Sequence, residues 1–296
     1  MKMYYAAVAK TLVELEHLVP KIGVLCSYFD TKEIERPPYC DSYFLDCGAF
    51  SAHGQGKEID LMEYIEFCKE NKDKVQVYAS LDVIGDWKKS LDNYLKMREE
   101  GLDPLPALHH GEPIELIGEY CKYTNYMGLG GVGKGAGKIK SIRAQWMDPI
   151  YMKYGDRMKF HGFGIQETNI MARYPWKSVD GTFAHYTARL GAIVTPYGNY
   201  GVGENTKEET KIQNKLRLKP NVFKKVVDWV ESLDISFDAI CKSTPDASLL
   251  RCVVNIHCLE QRVAELNKQK NKKRKYTSSG FGIKRSAHWR KMKVDI

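Results

Sequence analysis

Three aspartates, Asp46, Asp82 and Asp180, are the residues of this sequence best suited to chemistry. Each follows an apolar residue, Leu45, Leu81 or Val179, at a place where the sequence predicts the end of a buried strand. Carboxylates that share one pocket repel each other and shift each other's pKa values, so that one can attack while another carries a proton. Such a pair suits displacement at the anomeric carbon of a sugar through a covalent glycosyl intermediate. A single aspartate at a strand end is more often a turn or helix cap, so the hypothesis depends on all three meeting.

Short β-rich segments alternate with amphipathic helical segments through most of the chain. Eight strands alternating with helices over this length predict an α/β fold, a (β/α)8 TIM barrel with C-terminal helices and a basic tail. An open doubly wound sheet is the alternative. The predicted strands cover residues 22–27, 43–47, 75–81, 105–109, 126–129, 159–164, 178–179 and 192–195.

The chain divides into three predicted parts. Residues 1–205 form the barrel, residues 206–266 a helical extension, and residues 267–296 a basic arm. The carboxyl ends of barrel strands meet at one face, so the three aspartates are expected there together. The last two predicted strands are only about a dozen residues apart, which is the shortest length that a crossover between parallel strands needs.

Two patterns that are typical of other sites, a phosphate-binding loop and a histidine metal site, are present but incomplete. Gly128–Lys134 matches GxxxxGK, the phosphate-binding loop, yet glycine follows where that loop has Ser or Thr to hold Mg²⁺. A glycine loop that lets a flat base lie against the backbone fits better. His109, His110 and His161 lie in different strand contexts, and adjacent strand residues point to opposite faces, so a shared metal site is not predicted.

The eight cysteines lack a CxxC pair, which is typical of reduced, mostly buried thiols in the cytoplasm. The irregular spacing of Cys241, Cys252, His257 and Cys258 favours buried thiols over zinc, and no cofactor is predicted. The absence of an uncharged run of 18 apolar residues argues against a membrane span. Lys10 interrupts the apolar start without a cleavage-like site, so no signal peptide is predicted and the expected location is cytoplasmic, in a host cell if the protein is viral.

The excess positive charge is concentrated at the C-terminus. The whole chain carries a net charge of +8, and residues 266–294 hold 11 Lys and Arg with no Asp or Glu. Basic clusters release counterions from nucleic acid, and the interleaved Tyr276, Phe281 and Trp289 suit stacking on bases. A solvated tail that aids solubility is the alternative. The predicted nucleic-acid contacts are Lys272, Lys273, Arg274, Lys275, Lys284, Arg285 and Arg290.

Six segments, in this order, resemble motifs of the tRNA-guanine transglycosylase superfamily, most closely its DNA-modifying branch, the 7-deazaguanine DNA transglycosylases of phages and bacteria. Residues 45–51 resemble the DSGGFQ motif, and residues 79–82 resemble the third-strand aspartate motif. The other similarities are residues 109–111 to V-Q-G-G, 127–133 to I-G-G-L-A-V-G, 161–165 to M-G-V-G-T, and 178–180 to the nucleophile strand. The resemblance covers about residues 20–200.

This resemblance implies a (β/α)8 barrel that exchanges bases. In the family an aspartate attacks C1′ of a guanosine nucleotide, guanine leaves, and a 7-deazaguanine such as preQ0 or preQ1 takes its place. By position, Asp180 is implied as the nucleophile and Asp46 as the general acid/base. A base pulled from the stack needs flat partners. The implied base contacts are Asp82 on the pyrimidine face, Gly130, Gly131 and His110 at the exocyclic groups, and Phe50 and His161 on the two ring faces.

Departures from the family pattern favour DNA over tRNA as the partner. The CxCxxC…His zinc segment of the tRNA enzymes is absent, and the sequence after residue 206 is unlike theirs. Cys47 and His110 replace the serine and glutamine of the family motifs. The predicted function is therefore guanine exchange in DNA. The alternatives are the same chemistry on tRNA, a non-catalytic nucleic-acid-binding barrel, and a sugar-cleaving or nucleotide-using enzyme. Barrels of this superfamily often pair, which leaves a homodimer open.

Overall fold

Eight parallel strands form the central sheet in the computed structural model of the chain. The structure describes residues 1–31, 33–131, 139–204, 206–217 and 219–277, with the backbone alone for residues 139–143 and 270–277. The sheet contains β1 (Lys2–Ala6), β2 (Ile22–Ser27), β3 (Cys40–Asp46), β4 (Val77–Tyr78), β5 (Ala107–His109), β6 (Tyr126–Gly130), β7 (Lys159–Gly162) and β8 (Ser178–Gly181). A separate antiparallel hairpin consists of β9 (Ala192–Thr195) and β10 (Gly198–Gly201).

Helices follow most of the strands and then continue alone toward the C-terminus. The helices of the sheet region are α1 (Ala49–Gly54), α2 (Leu61–Asn71), α3 (Trp87–Glu99), α4 (Leu116–Tyr120), α5 (Ile139–Tyr154), α6 (Thr168–Arg173) and α7 (Phe183–Arg189). The later helices are α8 (Ile212–Lys215), α9 (Pro220–Glu231), α10 (Phe237–Cys241) and α11 (Pro245–Thr277). Helices α2 and α3 begin where aspartates cap them: Asp60 accepts from the Glu63 N–H at 2.9 Å, and Asp86 accepts from the Lys89 N–H at 3.1 Å.

The strand order of the sheet is β4-β3-β2-β1-β8-β7-β6-β5. Each strand lies beside its sequence neighbours and β1 lies beside β8, which is not the order of a doubly wound sheet. The edge strands β4 and β5 share no ladder, but one parallel bridge joins Ala79 to Leu105, and the Ser80 N–H donates to the Leu105 carbonyl at 2.8 Å. The prediction of an α/β fold with eight parallel strands is confirmed.

The prediction that residues 192–195 form the eighth strand of this sheet is wrong. They form β9, which pairs only with β10, and β1 holds the place between β2 and β8. Met3 and Tyr5 of β1 are buried, and the Tyr5 hydroxyl donates to Glu260 Oε1 at 2.9 Å. Five residues at the very start of the chain give too brief an alternation to stand out in the sequence.

A small apolar cluster lies inside the curled sheet, separate from the larger core between sheet and helices. One face of the strands therefore points inward to this cluster. The other face packs against the helices, as expected for a parallel sheet covered on its outer face. The buried members are Tyr4, Leu25, Phe44, Ala79 and Leu105, and Ala6, Val77, Tyr126 and Phe163 pack against them.

Helix α11 packs along β1 and runs antiparallel to it. The Tyr5 hydroxyl lies 3.5 Å from the Ile256 carbonyl oxygen, and the Met1 amino group donates to Asn267 Oδ1 at 2.9 Å. The helix therefore continues past the N-terminal edge of β1 after Asn267. The predicted boundary between residues 266 and 267 falls inside this continuous helix, and the division into three parts stays a prediction.

Asn255 fixes α11 to the elements that follow β8. Its side chain is fully buried; Oδ1 accepts from the Val194 N–H at 2.6 Å, and Nδ2 donates to the Ala184 carbonyl at 3.0 Å. We expect Asn255→Ala to lower the free energy of unfolding by about 3 kcal/mol, because these buried backbone groups lose their partner. Urea denaturation tests this, with the exposed Asn221→Ala as control. Equal stabilities of the two variants would show that Asn255 does not hold the helix.

Candidate active site

One large cavity lies at the carboxyl ends of the parallel strands. Its volume is about 1390 Å³, and all three aspartates singled out in the sequence line it. The parallel topology produces this meeting, since the strands all end at the same edge. The other predicted residues in its lining are Phe50, His110, Gly130 and Gly131.

Asp46 is the last residue of β3 and lies where a tight turn begins. The Gly48 N–H donates to Asp46 Oδ2 at 3.3 Å. Gly48 has φ +80°, and a Cβ there would lie 2.3 Å from Ser27 Oγ, so only glycine fits the turn. Burial, together with the nearby charges of Asp180 and Asp82, raises the pKa of Asp46 to about 7. Asp46 can therefore hold or release a proton near neutral pH.

Asp180 lies on β8, and one of its oxygens is held by a backbone N–H and lies against a histidine ring nitrogen. Its Oδ1 accepts from the Gly164 N–H at 3.0 Å and lies 3.1 Å from His161 Nε2. The described residues provide no hydrogen bond to Oδ2. The residue is 8% exposed, and that small exposed part faces the cavity. One oxygen is thus fixed while the other is available to a substrate.

Asp82 belongs to a three-residue ion cluster with His109 and Glu112. His109 Nε2 lies 3.6 Å from Asp82 Oδ2, and His109 Nδ1 lies 3.6 Å from Glu112 Oε1. Burial raises the pKa of Asp82 to about 6, although His109 opposes it. Burial lowers the pKa of His109, but Glu112, Asp82 and Asp46 outweigh that effect and raise it to about 9. At neutral pH a charged imidazolium therefore lies between two carboxyl groups on the cavity wall.

Glycines at the end of β6 allow the backbone to form part of the wall. The Gly130 carbonyl accepts from the His110 N–H at 3.1 Å. A Cβ on Gly130 would lie 2.9 Å from His109 Cδ2, and Gly131 has φ +74°. Larger residues would push β5 and β6 apart, so this stretch leaves peptide groups open to a flat ligand. Residues 132–134 of the predicted glycine loop lie outside the described residues.

The two residues expected to sandwich a base are not brought together. Phe50 is 63% exposed at the cavity, whereas His161 is fully buried and does not line it. The His161 ring centroid lies 4.6 Å from that of Phe44 and 4.5 Å from that of Phe163. Phe163, unlike His161, does line the cavity.

His110 is exposed at the cavity, with its ring 5.5 Å from that of Trp146 in an edge-on arrangement. The side chain of its neighbour His109, not that of His110, contacts Asp82. The strand β5 is only three residues long, so the sequence alone does not decide which histidine points at the aspartate.

Sequence reasoning missed several polar residues of the cavity. Glu112 pairs with His109, and Arg262 reaches the lining from α11. Gln166 lines the cavity as well; its Oε1 accepts from the Phe183 N–H at 2.6 Å, and its buried Nε2 has no partner in the described structure. These residues come from loops and from a distant helix, where no periodicity or motif marks them.

The predicted nucleic-acid arm lies mostly beyond what the structure describes. Lys272, Lys273, Arg274 and Lys275 belong to the last turns of α11, of which only the backbone is described. The predicted contacts Lys284, Arg285 and Arg290 lie outside the described residues. Because α11 runs antiparallel to β1, its last turns extend beyond the sheet edge opposite the cavity.

No zinc-type cluster is evident in the part of the chain that the structure describes. There, no group of three or more His, Cys, Asp or Glu is arranged to hold a metal ion. Of the four residues considered for zinc, Cys252 and Cys258 are buried in the helix packing, and His257 Nε2 lies 2.8 Å from the Leu18 carbonyl oxygen.

Comparisons with known proteins add no assignment. No protein-family model matches the chain, and no curated protein sequence matches it significantly. Within the described ranges, no helix is long and apolar enough to cross a membrane. The geometry of the cavity therefore carries the functional argument.

Proposed function

We propose that this chain is a base-exchange transglycosylase that replaces guanine in DNA with a 7-deazaguanine of the preQ0 or preQ1 type. Its proposed scaffold is a (β/α)8-type barrel, supported by the eight-stranded parallel sheet whose β4 and β5 edges are linked by one bridge between Ala79 and Leu105. The single observation that carries the proposal is that Asp180 and Asp46 line one cavity in different surroundings. Asp180 Oδ1 is held by the Gly164 N–H and lies beside His161 Nε2, while Asp46 has a pKa of about 7. One carboxylate is thus suited to attack and the other to proton transfer.

The proposed reaction has two displacements at the same carbon. Asp180 Oδ2 attacks C1′ of the deoxyguanosine, the C1′–N9 bond breaks, and protonated Asp46 gives its proton to the leaving guanine. The incoming base then loses its N9 proton to the Asp46 carboxylate and attacks C1′, which releases Asp180. The cycle returns both carboxyl groups to their starting states and needs neither ATP nor a redox cofactor.

Base recognition is proposed for the opposite wall of the cavity. A guanine-type base offers N–H donors on its pyrimidine edge, which match the Asp82 carboxyl group. The peptide groups of Gly130 and Gly131 border this wall, and Phe50 and Phe163 offer ring faces. DNA is favoured over tRNA by the missing zinc segment of the tRNA enzymes.

Exchange of labelled guanine tests the proposal without knowledge of the natural incoming base. Purified protein is incubated with duplex DNA or tRNA and radiolabelled guanine, and the label in the precipitated nucleic acid is counted. We expect label in DNA. Label in tRNA alone would support the tRNA alternative, and label in neither, from folded protein, would contradict guanine exchange.

The basic arm is proposed to bind DNA phosphates. Replacing Lys272, Lys273, Arg274 and Lys275 with glutamine should weaken duplex binding about 10-fold near 0.1 M salt and reduce the salt dependence of binding. We expect KM to rise with kcat unchanged, because only the last turns of α11, beyond Asn267, are changed and they lie away from the cavity. The matched control replaces four exposed lysines elsewhere in the chain, Lys72, Lys74, Lys88 and Lys89. Equal effects of the two quadruple variants on DNA affinity would contradict an arm-specific role.

A further inference from the structure

A chain of buried polar groups leads from the interior of the sheet to Asp180. Tyr126 on β6 places its hydroxyl 2.5 Å from Ser178 Oγ on β8. Ser178 Oγ lies 2.6 Å from His161 Nδ1 on β7, and His161 Nε2 lies 3.1 Å from Asp180 Oδ1. Three strands thus contribute to one continuous path of hydrogen bonds.

The hydrogen bonds of this path can all be donated in one direction, from Tyr126 toward Asp180. Burial raises the pKa of Tyr126 well above its usual value, so the phenol keeps its proton, and Ser178 is the partner found for it. If Tyr126 donates to Ser178 Oγ, then Ser178 donates its own proton to His161 Nδ1. A neutral His161 must then carry its proton on Nε2, where it faces the Asp180 carboxylate.

Among the residues that the structure describes, Ser178 and Asp180 are the hydrogen-bond partners found for the His161 ring. The ring is fully buried, and its aromatic neighbours are Tyr4, Phe44 and Phe163. The Tyr4 hydroxyl lies 2.9 Å from Ser42 Oγ, so its partner is elsewhere. Water does not reach the ring to replace a lost hydrogen bond, and a buried polar atom without a partner is costly.

We propose that His161, oriented by Ser178 and Tyr126, is a positioning residue that holds Asp180 Oδ1 so that Oδ2 is the oxygen that attacks C1′. This inference rests on the proposed function for its kinetic consequence, while the hydrogen-bond path itself is independent of it. It assigns to His161 a role different from stacking on the base.

The path also aids the second displacement. In the covalent intermediate Oδ2 is the ester oxygen, and Oδ1 is its carbonyl oxygen, still held by the N–H groups of His161 and Gly164. When the incoming base forms its bond to C1′, the C1′–Oδ2 bond breaks and its electron pair returns to the carboxylate. Both N–H groups then face a growing negative charge, so they stabilise the leaving carboxylate.

Histidine nitrogen NMR tests the path without any activity. In long-range ¹H–¹⁵N spectra of the full chain, the His161 signal is assigned by its loss in His161→Gln. We expect the neutral Nε2–H form in the wild type, and a loss of that single form in Ser178→Ala. A neutral Nδ1–H form in the wild type would overturn the proposal, whether or not the protein exchanges bases.

Kinetics with two phenylalanine variants test the consequence for catalysis. We expect Tyr126→Phe to lower kcat for guanine exchange about 10-fold, the effect of one lost hydrogen bond, with KM within about 2-fold of the wild type. The control Tyr4→Phe removes a hydroxyl from the same apolar cluster without touching the path. Equal kcat values for both variants, with the Nε2–H form confirmed by NMR, would overturn the positioning role and leave the proposed function standing. An inactive wild type with the Nε2–H form would instead overturn the proposed function.

Discussion

Replacement of Asp180 by asparagine is expected to lower base exchange by about 10⁴-fold or more, because the nucleophile is lost. Stability should change by less than about 1 kcal/mol. The asparagine Oδ1 can still accept from the Gly164 N–H and from His161 Nε2, so the packing around β8 is retained. Labelled-guanine exchange measures the activity, and thermal unfolding measures the stability.

The control for this prediction is an isosteric change far from the cavity. Asp228→Asn removes an exposed carboxylate that pairs only with Lys224 in the described structure, and it should leave exchange unchanged. If Asp180→Asn kept more than about a tenth of the wild-type rate, nucleophilic attack by Asp180 would be contradicted, since losing a nucleophile costs far more than that.

Replacement of Asp46 by asparagine is expected to lower the exchange activity and to raise the stability of the fold. Exchange should fall by about 10²- to 10⁴-fold, the usual contribution of a general acid/base. The wild-type rate should depend on pH with an inflection near 7, the pKa of Asp46, and this inflection should vanish in the variant. An unchanged pH profile in Asp46→Asn would assign the proton transfer to another group.

The effect of Asp46 on stability follows from the direction of its pKa shift. The pKa rises from 3.8 in the unfolded chain to about 7 in the folded one. The stability contributed by the protonated form is therefore present below about pH 4 and is lost as pH rises to 7. Asparagine carries no such charge, so Asp46→Asn should be more stable than the wild type by about 4 kcal/mol at pH 8 and show no gain at pH 4. Melting temperatures at both pH values test this; a lower value for the variant at pH 8 would contradict it.

The meeting of the three aspartates was predictable from the sequence because it depends on topology alone. Asp46, Asp82 and Asp180 each follow a buried strand, and parallel strands bring their carboxyl ends to one edge. The pKa values of these groups were not predictable, because they depend on burial and on the distances between charges. Those quantities arise only when β3 and β8 are folded into the same cavity.

The direction in which a single side chain points is harder to predict from the sequence than the strand or loop on which it lies. His109, next to the predicted His110, is the residue that contacts Asp82, because a three-residue strand gives no periodicity to assign faces. His161 was expected at the base, but it points to the interior of the sheet, where aromatic rings surround it. The strand β1 was missed because its five residues give too brief an alternation to stand out in the sequence.

The most direct measurement is nucleoside mass spectrometry of DNA treated with the protein. Duplex DNA and tRNA are incubated separately with preQ0 or preQ1, digested, and searched for a 7-deazaguanine nucleoside. The account predicts a modified deoxynucleoside from DNA with the wild type and none with Asp180→Asn. A product from tRNA alone, or no product in either from protein whose fold has been verified, would contradict guanine exchange in DNA.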